Sequence, residues 1–271
     1  MPNHITNRLK IIGTDEQITK VRSEIKGEDE NQFIDFNKIA PMPKELENTQ
    51  SPLRIISQEE YDEQEKRLVE DDFSDTEKRF GISRGLTKEL ADEYMSKFGY
   101  AEWYGWQSNN WGTKWNAYGQ TELDADELEF DTAWSTPYKI MLKLSEKYPD
   151  VTFDVQYADE DFGYNVGTYT LMGGELLDEN IPKGGTVEAI QMAMDIKGDE
   201  DYYLFEYLYN EDDNLSEFAK TLVGMVHIKG ILDTNYPKSV LDKLKELALA
   251  DEQFERVVEI DKLLDKVNTE N

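Results

Sequence analysis

The sequence predicts an α+β protein: an antiparallel sheet with helices on one side, a helical insertion and an all-helical C-terminal part. Three observations lead there. Strand-like alternation and helical periodicity succeed one another in the order β-α-β, then, after a helical stretch, β-α-β-β. Beyond Pro182 only the helical period remains. The chain of 271 residues, 38% hydrophobic and carrying 11 Phe, 15 Tyr and 5 Trp, has enough apolar material for a sizeable core.

Ile5, Asn7, Leu9 and Ile11 alternate with Thr6, Arg8 and Lys10, the pattern of a strand over 5–12 with one face buried, and Gly13 breaks it. Thr14 and Gln17 have the spacing of a capping box. Ile18, Val21 and Ile25 follow at helical intervals until Gly27. Phe33 to Ile39 alternates again and reads as a second strand, ended by Pro41 and Pro43.

From Pro52 to Gly99 β-branched residues thin out. Ser57-Gln58-Glu59-Glu60 opens one helix and Lys88 to Phe98 offers another, so a helical insertion is expected at about 52–100. The run Glu59 to Glu77 is overwhelmingly acidic, opposed only by Lys66 and Arg67, and reads as a solvated helix face whose self-repulsion favours partial disorder.

Leu128, Phe130, Thr132 and Trp134 share one face of a strand over 127–134, and Glu127, Glu129 and Asp131 share the other. Pro137 suits the first turn of a helix whose apolar stripe is Ile140, Met141 and Leu144. Val151, Phe153, Val155 and Tyr157 form the next strand, over 151–158. The turn chemistry of Asp159 to Gly163 returns the chain as an edge strand from Tyr164 to Met172.

This order is the split β-α-β arrangement of a ferredoxin-like topology, with the strands at 5–12, 33–39, 127–134 and 151–158 expected in one sheet. Residues 1–185 are expected to form that domain. Residues 186–271 form a helical region, with segments at 187–196, 202–209, 215–228 and 240–267, the last showing Val257 and Val258 on an apolar face.

Composition narrows the function. Asp and Glu number 58 against 29 Lys and Arg, a formal net charge of −29 that repels anionic polymers and argues against direct nucleic-acid binding. No stretch approaches the roughly 18 apolar residues of a membrane helix. The start lacks the layout of a signal peptide, so a soluble, cytoplasmic protein is expected. With no cysteine, disulfides, thiolate nucleophiles and thiolate metal sites are excluded, and the two imidazoles, His4 and His227, lie far apart in sequence. Phosphate-loop, dinucleotide and nucleophile-elbow motifs are absent, and Lys183-Gly184-Gly185-Thr186 reads as a turn with a Thr N-cap. No cofactor and no metal are expected.

Met1 to Asn7, Asp35 to Pro43 and Asn109 to Ala117 together resemble the YubB-like family of phage and plasmid proteins. The resemblance covers roughly residues 1–180 and implies a ferredoxin-like domain and a mobile-element origin. It implies no catalytic residue.

Four of the five tryptophans fall between Trp103 and Trp115. Trp103, Trp106, Trp111 and Trp115, with Lys114 as a polar handle, are candidates for a recognition surface; the competing expectation is that they pack the sheet or the insertion. Glu127, Glu129 and Asp131 are the second candidate surface, an acidic strand face. Paired carboxylates such as Asp159 and Asp161 suit a metal-assisted hydrolase in principle, but an acidic chain places such pairs by chance. The expected function is a non-enzymatic acidic binding protein of a mobile element. By charge mimicry it would inhibit a host nucleic-acid-binding or defence factor with a basic surface. The alternatives are a carboxylate-dependent hydrolase and a tryptophan-centred protein-interaction module.

Overall fold

The computed structural model describes residues 2–70, 83–161 and 163–197, together with helical positions between 242 and 265. These residues fall into two compact units, 1–160 with 168–180, and 161–167 with 181–271.

The first unit is built on a six-stranded sheet. Its strands are β1 (His4–Ile12), β2 (Tyr118–Asp124), β3 (Glu127–Ala133), β4 (Thr152–Asp159), β5 (Gly167–Met172) and β6 (Glu175–Asn180), in the spatial order β2-β3-β1-β4-β5-β6. β1 pairs antiparallel with both β3 and β4, β2 with β3, and β5 with β6. The order β2-β3-β1-β4 is the ferredoxin-like arrangement, and β5 and β6 extend it beyond β4.

The alternation read from β1, β3 and β4 places their apolar residues on one face. Ile5, Leu9, Ile11, Phe130, Phe153 and Val155 are all fully buried. α1 (Asp15–Ile25) starts with the anticipated capping box: Gln17 N–H donates to Thr14 Oγ1 at 3.3 Å and Thr14 N–H to Gln17 Oε1 at 2.8 Å. It sends Val21 and Ile25 into the core. The helix that crosses from β3 to β4, Tyr138–Lys147, buries Ile140, Met141 and Leu144 as its stripe requires.

One predicted strand is corrected. Phe33 to Ile39 does not join the sheet; Asp35 accepts Asn37 N–H at 2.9 Å and caps a single helical turn, α2 (Phe36–Ile39). Ile34 and Phe36 are both buried, so the alternation is real. Side chains rather than a backbone ladder hold the segment, however. Gln120 bonds both backbone groups of Ile34, and Asn116 Oδ1 accepts Phe36 N–H at 2.9 Å. The second strand of the topology is instead β2, far downstream. The insertion therefore lies inside the first β-α-β crossover, between Ile25 and Tyr118.

Within that insertion follow α2, α3 (Gln58–Glu70), α4 (Lys88–Phe98) and α5 (Trp103–Asn110). α3 has no buried residue and is the solvated acidic helix anticipated; residues 71–77 of the acidic run lie outside the described residues. α4 is capped by Thr87, whose Oγ1 accepts Leu90 N–H at 3.2 Å, and ends on Gly99 at φ 77°. Two isolated parallel bridges, Thr49 with Arg84 and Ile55 with Leu86, tie its loops together. The helix from Tyr138 to Lys147 is α6.

Strand β6 is a further departure, since the sheet was expected to end at Met172. Gly173 and Gly174, at φ 60° and 78°, turn the chain into β6, every residue of which is exposed. β5 also begins at Gly167 rather than Tyr164.

In the second unit, Thr186 Oγ1 accepts Ala189 N–H at 3.4 Å and opens α7 (Val187–Lys197), as its spacing suggested. Ala189, Ala193, Met194 and Ile196 are buried, as are Val257, Ile260 and Leu264 at helical spacing. Val258, expected inside, is 55% exposed. The segments read at 202–209 and 215–228, with His227, lie outside the described residues.

Candidate functional site

The tryptophan-rich segment divides into a buried half and an exposed half. Glu102 sets α5 going by accepting Tyr104 N–H at 2.8 Å and Gly105 N–H at 2.7 Å. Trp106 and Trp111 then point inward, their rings edge to face at 5.8 Å. Trp111 is 1% exposed, meets Phe36 edge to face, and donates its indole N–H to Ala40 O at 2.8 Å. These two residues are core, and they leave the list of recognition candidates.

Gly112, at φ 84°, and Thr113 turn the chain outward. Thr113 Oγ1 donates to Ala133 O at 2.8 Å and accepts Ala133 N–H at 3.2 Å, while Ser135 Oγ donates to Gly112 O at 2.6 Å. The segment is thus clamped to the end of β3, and Lys114 and Trp115 emerge beside it.

Trp134 meets them there. The strand pattern assigned it to the buried face with Leu128, Phe130 and Thr132, and the structure corrects this: β3 ends at Ala133, and Trp134 adopts φ 72°, which turns its indole outward to 45% exposure. Its N–H donates to Asn3 O at 2.9 Å. Lys114 Nζ sits over both exposed indoles, 4.7 Å from the centroid of Trp115 and 4.5 Å from that of Trp134.

Edge-to-face contacts lengthen this surface in both directions. Tyr104 lies 6.1 Å from Trp134 and 5.7 Å from Trp103, and Tyr118 lies 6.2 Å from Trp115 and 5.6 Å from His4. Tyr118 Oη approaches Thr132 O at 3.1 Å and His4 Nδ1 at 2.7 Å. The phenol has one proton to give: it donates to Thr132 O when His4 carries its proton on Nδ1, and is free to donate to Nδ1 in the other imidazole tautomer. Burial pushes the Tyr118 phenol up to about 12, and the charges of Asp131 and Glu160 push the same way. Of this surface the sequence singled out Trp103, Lys114 and Trp115; it missed Trp134, Tyr104, Tyr118 and the role of His4.

Glu127, Glu129 and Asp131 occupy the sheet face away from the core, as their alternation requires, but β1 answers each of them. Arg8 stands opposite Glu129, Lys10 opposite Glu127 and Thr6 opposite Asp131. Arg8 Nε donates to Glu129 Oε2 at 2.8 Å, Lys10 Nζ lies 3.9 Å from Glu127, and Thr6 Oγ1 donates to Asp131 at 3.1 Å. The face is a mixed polar one.

Asp159 is 5% exposed and accepts Asn3 Nδ2 at 3.1 Å, while Asp161 belongs to the second unit. Among the described residues no cluster of three His, Cys, Asp or Glu is placed to hold a metal ion. Nor, among them, is any helix long and apolar enough to cross a membrane.

Residues 110–200 match the family described as a ferredoxin-like domain in Api92-like protein. The match spans β2 to β6, and its description as ferredoxin-like agrees with the fold class of the sheet. No curated protein matches the chain. Among solved structures, the crystal structure of a protein api92 from Yersinia pseudotuberculosis is similar at 14% identity. That similarity covers 69% of this chain and 100% of that one, with a TM-score of 0.36.

Proposed function

We propose that this chain is a non-enzymatic binding protein that recognises a host protein with a basic surface, using the aromatic surface of Trp115, Lys114 and Trp134. The observation that carries this reading is the pair of exposed indoles, 38% and 45% accessible, both lying under the ammonium of one lysine. Exposed aromatics supply large contact area at little entropic cost and dominate protein interfaces. The net charge of −29 supports the choice of partner, because it accelerates encounter with a basic surface and repels nucleic acid. The resemblance to YubB-like phage and plasmid proteins supports a mobile-element origin, and with it a cytoplasmic, anti-defence role.

A second reading, phosphate mimicry by the acids of β3, draws on the same net charge. It is weakened by the counter-charges of Arg8 and Lys10 across the strand pair.

Affinity capture from host lysate at about 0.1 M and about 1 M salt separates the two, because the screening length shrinks from about 10 Å to about 3 Å. Recognition by the aromatic surface predicts capture that weakens at high salt but persists, and that Trp115→Ala and Trp134→Gly each abolish. Capture that ignores both changes, yet disappears at high salt and when Glu127, Glu129 and Asp131 become Lys, would establish mimicry instead.

A further inference from the structure

We infer that Trp115 and Trp134 form a two-walled cage for a cationic side chain, that Lys114 occupies it as an internal stand-in, and that a Lys or Arg of the partner takes its place. The inference rests on the reading of this surface as the recognition site and names the chemistry that the site selects.

The geometry is that of a cation held by ring faces. Nζ of Lys114 lies 4.7 Å and 4.5 Å from the two indole centroids, inside the roughly 6 Å within which an ammonium is attracted by the aromatic quadrupole. Among the described residues no carboxylate comes within ion-pair distance of Lys114, in a chain with 58 acids to choose from. Its charge is met by the π faces. A site that satisfies an ammonium without a carboxylate is selective for cations, since the same negative ring faces repel an anion.

The backbone at Trp134 points the same way. A bulky residue at φ 72° is a steric outlier where glycine would sit without strain. Burial does not account for a tryptophan at that position, because the ring is 45% exposed. What the strained conformation does achieve is to lift the indole off the core face of β3 and bring its ring to the same Lys114 ammonium that lies over Trp115. Strain of this kind concentrates where function over-determines the backbone.

Charge complementarity selects the occupant. Two carboxylates, Asp131 and Glu160, are near enough to act on Tyr118, the ring next to Trp115, and they add to the attraction that the net charge of −29 exerts on a cation. Exchange costs little, because Lys114 regains its hydration as the incoming cation loses its own. The remaining contacts of a basic segment then tip the balance towards the partner.

The test uses the full-length protein and tetramethylammonium chloride as the probe, with sodium chloride at matched ionic strength as the control. Indole N–H resonances of Trp115 and Trp134, assigned with Trp115→Phe and Trp134→Gly, report occupancy by NMR. Lys114→Ala, with Lys114→Gln as a second variant should the emptied walls collapse, removes the internal competitor. It is expected to bind the probe about three- to tenfold more tightly than the wild type. In the wild-type protein the Lys114 ε-methylene signal starts upfield under the ring currents and moves towards its free position as the probe displaces it.

Saturable shifts of both indoles in the wild type, with the Trp115 shift lost in Trp134→Gly, support the cage. Equal affinity in the wild type and both Lys114 variants, or a Lys114 signal that does not move, overturns it. Should Trp115→Ala and Trp134→Gly abolish partner capture while neither Lys114 variant gains affinity for the cation, the aromatic surface stands as the recognition site and the cage falls. Capture that survives both tryptophan changes removes the site itself.

Discussion

The side-chain amide of Gln120 stands in for a strand partner of Ile34: its Oε1 accepts Ile34 N–H at 2.8 Å and its Nε2 donates to Ile34 O at 2.9 Å. Ile34 is fully buried, so its peptide groups have no water to fall back on. Gln120→Ala is therefore expected to destabilise the first unit by about 1–3 kcal/mol. Gln120→Glu is expected to cost at least as much, because a second acceptor would then face the carbonyls of Ile34 and Ala117, both now bonded by Nε2. Urea midpoints of the two variants against the wild type check both statements.

Trp111 and Trp134 should respond to substitution in opposite ways. Trp111→Ala opens a cavity in the core and leaves Ala40 O without its donor, at a cost of about 3–5 kcal/mol. Trp134→Gly relieves a left-handed backbone worth about 1–2 kcal/mol while giving up exposed ring contacts, so stability is expected to stay within about 1 kcal/mol of the wild type. Thermal unfolding of the pair, run beside the capture experiment, distinguishes a lost partner from a lost fold.

A hydrogen bond between the two crossover helices makes stability depend on acid. Tyr148, at the end of α6, donates to Glu24 Oε2 at 2.6 Å, and Lys147 Nζ lies 3.0 Å from the same oxygen. The Tyr148 hydroxyl first, and Lys147 second, hold the Glu24 carboxyl below its ordinary 4.5. A depressed carboxyl pKa contributes stability that is complete above the ordinary value and drains away as pH falls through the folded one. The gap between wild type and Glu24→Gln in urea midpoint is thus expected to narrow between about pH 6 and about pH 3. A gap that stays constant over that range would show that the carboxylate charge contributes nothing.

Elements whose signal is local were legible in the sequence. β1, β3 and β4 carry alternation, α1 carries its capping box and α6 its stripe, and each stands within a residue or two of its expected place. β2 was not legible. It is an edge strand, largely exposed and distorted beside Gly119 at φ 57°, so it never needed an apolar face. β6 is exposed throughout, although the Gly173-Gly174 turn before it was a usable hairpin signal. Phe33 to Ile39 misled for the opposite reason: an extended segment with buried alternate residues has a strand's pattern whether its partners are a backbone ladder or two side-chain amides. The outward turn of Trp134 has no sequence code, because only the structure places a tryptophan in a region that glycine prefers.

Cross-strand register was equally illegible, and it yields the last prediction. Arg8 and Glu129 face each other at 2.8 Å with side chains 24% and 29% exposed, so Glu129→Lys sets two cations side by side on β1 and β3. A loss of about 1 kcal/mol is expected. Adding Arg8→Glu rebuilds the pair in reverse and should recover most of that loss. The double exchange also leaves the net charge at −29. Long-range attraction of a basic partner, and the fall of the association rate with salt, are therefore expected to be those of the wild type. Stopped-flow association at several salt concentrations measures this directly once a partner is in hand. If the double exchange unfolds like the wild type yet no longer binds, the local polarity of the sheet face is what the partner reads, and the aromatic surface is not the recognition site. If binding and its salt dependence are unchanged, the charge of this protein acts at a distance and contact is made elsewhere, as the exposed indoles require.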